Sequence, residues 1–114
     1  MIVELPEGSW WDWELLRFDG CRLRLAAGYD LTYHHGLELV FIDVTYLVCP
    51  ARFQDPVFRE PTARELDQVR RCAGDEAAVV VAFDIEAQTG PGLVSCLIAA
   101  DSVEVVHAVV LRRS

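Results

Sequence analysis

The segment Leu37–Val48, LELVFIDVTYLV, constrains the fold more than any other stretch of the chain. Side chains alternate between the two sides of a strand. Here both sets are largely apolar: Val40, Ile42, Val44, Tyr46 and Val48 on one side, Leu39, Phe41 and Leu47 on the other. A strand of that kind is covered on both sides, so it is expected at the centre of the molecule. Its single acid, Asp43, is then expected to be buried. An unpaired ionised carboxylate in a core costs on the order of several kcal/mol. Asp43 therefore needs an arginine, a backbone donor, a pocket mouth or an altered pKa.

The same alternation recurs on either side of this segment. Trp13–Phe18 and Cys21–Ala27 flank Asp19-Gly20, which tolerates the positive φ angles of a tight turn, and together they read as a hairpin. In the second arm Cys21, Leu23 and Leu25 alternate with Arg22 and Arg24, giving one wet side. Gly36 follows His34 and His35 and predicts a hairpin tip at the two imidazoles. Ala77–Ala87, Leu93–Ala100 and Val103–Leu111 give three more strands, joined as a meander by Gln88–Gly92 and by Asp101-Ser102. Cys49–Pro61 contains Pro50, Pro56 and Pro61 and reads as an irregular crossover, because proline cannot donate to a ladder.

One helix is expected. Thr62 followed by Glu65 forms a capping box, Leu66, Val69 and Cys72 or Ala73 recur at helical spacing, and Gly74 suits the end. The predicted architecture is α+β: a twisted, mainly antiparallel β-sheet, curling toward a barrel, with one α-helix over about 62–73 packed on it. At 114 residues it is expected to be a single domain spanning 1–114.

Composition narrows the function classes. The chain has no lysine and no asparagine, so all ten basic residues are arginine, as a GC-rich and hence bacterial genome would favour. A net charge of −8, with arginines scattered at Arg22, Arg24, Arg70, Arg71, Arg112 and Arg113, argues against nucleic acid. It allows a basic protein partner. Apolar runs such as Ala77–Phe83 fall short of the ~20 residues that span a bilayer. The first residues show no basic start or apolar leader, so no membrane association and a cytoplasmic location are expected.

Motifs for chemistry are sparse. Consecutive cysteines (Cys21, Cys49, Cys72, Cys96) lie more than twenty residues apart, without zinc-ligand spacing, and read as buried, unreactive thiols. His34, His35 and His107 would need Asp30 or Asp43 to complete a metal site, yet adjacent histidines on a strand point to opposite sides. No metal and no cofactor are expected. Ser95, in LVSCL, lacks the flanking glycines of a nucleophile elbow, and TGPG lacks the GK[ST] of a phosphate loop. Asp43, Asp84 and Glu86 are the acids that could pair for proton transfer, with a structural tie as the simpler role.

The cluster WWDW remains. Trp10, Trp11 and Trp13 cannot all share one side of a strand, so at least one is expected at a surface, and tryptophan is enriched at binding hot spots. The favoured function is a small acidic, non-catalytic protein-interaction module, an inhibitor or accessory subunit analogous to bacterial immunity proteins. Its candidate partner or ligand-binding residues are Trp10, Trp11, Trp13, His34, Asp43, Tyr46 and Asp84. Apolar sheet edges add a homodimer as a candidate assembly. The alternative is a small-molecule-binding domain or enzyme with a pocket in the curved sheet, using Asp43 and Asp84 with His34 and Tyr46. A self-associating structural subunit is the third option.

Overall fold

Two lengths of chain that alternate without interruption are each bent in the middle, and those bends set the architecture. The computed structural model describes the backbone of residues 1–29, 31–32 and 34–111 and their side chains as far as His107. Asp30, Arg112 and Arg113, and the side chains of Val109 and Leu111, lie outside the described residues. The elements are β1 (Asp12–Phe18), β2 (Leu23–Gly28), β3 (His34–Ile42), β4 (Tyr46–Val48), β5 (Arg52–Gln54) and β6 (Val57–Arg59). Then come α1 (Ala63–Ala73), β7 (Val79–Glu86), β8 (Leu93–Ala100) and β9 (Ser102–Leu111). Among the described residues, nine strands pair in antiparallel fashion into a five-stranded sheet, β5-β1-β2-β3-β9, and a four-stranded sheet, β4-β8-β7-β6. The fold is α+β, as expected. The single sheet curling toward a barrel is replaced by two sheets packed face to face.

The central segment passes from one sheet to the other. β3 pairs with β9 up to Ile42 opposite Ser102, and β4 pairs with β8 from Tyr46 opposite Ala99. Three residues, Asp43 to Thr45, therefore face two, Ala100 and Asp101. That extra residue is a bulge, which bends a strand pair and lets it turn a corner between packed sheets. The corner is held by Asp101 N–H donating to the Ile42 carbonyl and Thr45 N–H donating to that of Ala99, each at 2.9 Å. Asp43 has φ 56° and is exposed, so the expectation of a buried acid in one continuous strand is overturned. Asp101-Ser102 likewise makes no hairpin, because β8 and β9 belong to different sheets.

Two other turns differ from expectation. β1 and β2 form the predicted hairpin, but Phe18 pairs with Leu23, leaving a loop of Asp19–Arg22. The Asp19 carboxylate fixes that loop by accepting from the N–H groups of Cys21 (3.0 Å) and Arg22 (2.8 Å). His34, His35 and Gly36 lie inside β3, where pairing with β9 slips between His35 and Leu37, so the glycine marks a bulge and not a hairpin tip.

The inward sides of the sheets meet over an aromatic cluster. Trp13 on β1 stacks on Phe53 at 5.8 Å between ring centres, Phe53 on Phe83 of β7 at 5.1 Å, and Phe58 lies 5.2 Å from Phe83. Phe53 and Phe58 come from the proline-rich crossover, which supplies two short edge strands, β5 to one sheet and β6 to the other. Pro50, Pro56 and Pro61 fall before, between and after these strands, where no ladder donor is needed. α1 carries the predicted capping box: Glu65 N–H donates to Thr62 Oγ1 (3.1 Å) and Thr62 N–H to Glu65 Oε1 (2.9 Å). The helix buries Val69 against Ala82, Leu97 and Ala99 on the outer side of the four-stranded sheet. Leu66 stays 40% exposed and Cys72 is exposed, so the buried stripe is narrower than the spacing implied. No helix among the described residues is long and apolar enough to cross a membrane.

Candidate functional site

The three tryptophans part company at the start of β1. Trp13 points inward opposite Ala27, is fully buried, and donates its indole N–H to the Trp10 carbonyl at 2.7 Å. Trp10 lies over the end of the core. It donates to the Pro6 carbonyl at 2.7 Å and meets the His107 ring edge-on at 5.3 Å. The absence of a side chain at Gly36 permits this seat, since a Cβ there would stand 3.1 Å from the indole.

Trp11 immediately precedes β1 and stays at the surface. It is 39% exposed and packs edge-on, 6.3 Å between ring centres, against Tyr29, which is 66% exposed. The pairing of Asp12 with Gly28 makes these two residues neighbours at the ends of β1 and β2. Two acids adjoin the pair along the backbone, Asp12 next to Trp11 in sequence and Asp55 through a main-chain bond. Asp12 accepts from Leu31 N–H (3.2 Å) and Gln54 Nε2 (3.3 Å), and Asp55 donates its backbone N–H to the Trp11 carbonyl (2.8 Å). Asp55, at φ 48°, is exposed.

The remaining sequence candidates are dispersed. Asp43 is at the corner, accepting from the Cys21 thiol at 3.0 Å. Tyr46, on β4, accepts from Gln68 Nε2 at 2.6 Å and ties the edge strand to α1. Asp84, on β7, belongs to an ionic cluster around Arg59. That guanidinium donates Nε and Nη2 to Asp84 (2.9 and 3.0 Å) and Nη1 and Nη2 to Glu65 (2.6 and 2.9 Å). Ser95 adds its hydroxyl to Asp84 at 3.0 Å. The Arg59 hydrogen bonds hold the Glu65 carboxyl down at about 2, and together with Ser95 they hold Asp84 below its ordinary value. Arg59 is correspondingly more basic than usual. Both Asp84 oxygens are thus engaged within the cluster.

His34 begins β3 and is half-buried. His35 is buried, with Nε2 2.9 Å from a Glu38 oxygen whose partner oxygen accepts from Arg24 at 3.0 Å. His107 is exposed. Among the described residues no three His, Cys, Asp or Glu side chains converge as metal ligands would. The four cysteines are free, but they are not uniformly buried: Cys21 and Cys72 are exposed, Cys49 is half-buried and Cys96 buried. Cys49 and Cys96 both line an apolar cleft of ≈ 360 Å³ with Val48, Arg52, Ile85 and Val94. Neither Asp43 nor Asp84 lines that cleft.

Tyr29, Asp12, Asp55 and the Cys49–Cys96 pair had not been singled out from sequence. The only signal for Tyr29 was its hairpin position, and using it requires the loop length that sets the register. No protein-family model, curated protein or solved structure matches this chain.

Proposed function

We propose that the protein is a non-catalytic binding module that contacts its partner through Trp11 and Tyr29, and that the partner is a protein presenting basic side chains. The exposed edge-to-face pair, with Asp12 and Asp55 adjoining it along the backbone, carries this reading. Two stiff aromatic side chains offer contact area at little entropic cost. A guanidinium or ammonium can settle on an indole face while a neighbouring carboxylate neutralises it. A net charge of −8 favours the approach of a cationic surface. A small acidic protein seated on such a surface would act as an inhibitor or an accessory subunit. The enzyme alternative is weakened because Arg59 engages both oxygens of Asp84, while Asp43 stands apart at a corner.

The test is affinity capture from the native host with the wild-type protein, Trp11→Ala and Tyr29→Ala as baits, followed by calorimetry on the purified partner. A basic partner bound about tenfold more weakly by each variant, with affinity falling as salt rises, is expected. Equal affinity in both variants would reject the proposal. A second copy of the chain is the other reading. β9 is hydrogen-bonded only to β3 among the described residues, and Val105 and Val106 on it are 42% and 39% exposed, so two edges could pair across a two-fold axis. Sedimentation at rising concentration distinguishes it.

A further inference from the structure

We propose that Cys49 and Cys96 form a reversible cross-strand disulfide, made by exchange with a low-molecular-weight disulfide. The β4–β8 register sets Leu47 opposite Ile98 and Val48 opposite Leu97; continued by one residue, it sets Cys49 opposite Cys96. Residues directly opposite in an antiparallel pair have Cα atoms ~4.5–5.5 Å apart, within the ~4.4–6.8 Å that a disulfide spans. Both cysteines pack with Leu47 and Ile98 on the inward side, so their side chains leave the ladder in the same direction. Both line the same cleft, where the half-buried Cys49 is the one a small reagent meets first.

The surroundings select the product. Burial, and for Cys49 the neighbouring Cys96, push the two thiols up to about 12 and about 11, so a lasting thiolate is disfavoured in the cleft. A disulfide is neutral and apolar and suits the site better. In the exchange, Cys49, the residue of the two with more exposed surface, loses its proton and its sulfur attacks the reagent. One reagent thiolate leaves and takes up a proton. Cys96 sulfur then attacks Cys49 sulfur in the mixed disulfide, expels the second reagent thiolate and passes its proton to it. Two protein thiols are oxidised to one disulfide, and one reagent disulfide is reduced to two thiols. The new bond would tie the end of three-residue β4 to β8. It stands independently of any partner at Trp11.

The test uses the full chain carrying Cys21→Ser and Cys72→Ser, which removes the exposed competing thiols. It is incubated with oxidised glutathione over a range of glutathione ratios and mapped by peptide mass without reduction. One internal Cys49–Cys96 link is expected, reversed by added thiol and abolished by a further Cys49→Ser substitution. Two free thiols at every ratio would overturn the proposal. So would a stable mixed disulfide at Cys49 beside a free Cys96.

Discussion

Asp43 shows what alternation along a strand can and cannot reveal. At φ 56° it adopts a left-handed conformation that asparagine, aspartate and glycine accept and β-branched residues resist. We therefore expect Asp43→Gly and Asp43→Asn to stay near wild-type stability, while Asp43→Val loses about 1–2 kcal/mol, read from urea unfolding. A loss in Asp43→Asn as large as in Asp43→Val would mean that the charge, and not the backbone, matters. From sequence the acid looked buried because apolar alternation continues on both sides of it. A corner made by one bulged residue leaves that pattern intact. The tryptophans show the converse: that they must divide was legible from their spacing, but which one remains outside depends on the packing of the whole fold.

The capped helix and the Arg59 cluster act as one unit, because Glu65 closes the capping box and also grips Arg59. Its pH dependence has a definite sign. A carboxylate depressed from 4.5 to about 2 in the folded protein stabilises the fold fully above its unfolded value, and that contribution is lost as pH falls through the folded one. Unfolding free energy should thus drop between about pH 5 and pH 1, by about 3 kcal/mol from Glu65, with Asp84 acting in the same direction. Urea titrations at each pH would show a shallower fall in Arg59→Met, because both acids then lose the largest cause of their depression and keep only the Thr62 N–H and the Ser95 hydroxyl. A slope unchanged by Arg59→Met would contradict the role given to the cluster. The helix was plain in the sequence because its cap is a local motif. The Arg59 cluster was not, since it joins β6, α1 and β7 and exists only through their packing. The Asp101-Ser102 turn was misread for a related reason: two residues between apolar runs suit a hairpin and a corner equally, and the pairing of β9 with β3 decides between them.

At the scale of the molecule, composition and alternation were enough to set the α+β class. Two packed sheets in place of one curled sheet follow from the bent ribbon of β3–β4 and β8–β9, a long-range feature without a local signature. The net charge of −8 surrounds whatever the surface presents, and it gives the exposed aromatic pair its chemical character. That combination, an accessible indole in a negative field, is the central claim and can be measured on the isolated protein. Of three tryptophans, Trp13 is buried and Trp10 half-buried, so Trp11 should dominate quenching by ions. Fluorescence quenching by caesium and iodide should show caesium reaching the indole more effectively than iodide, with most of that quenching gone in Trp11→Phe. Iodide quenching as strong as caesium quenching, or quenching unaltered in Trp11→Phe, would contradict it.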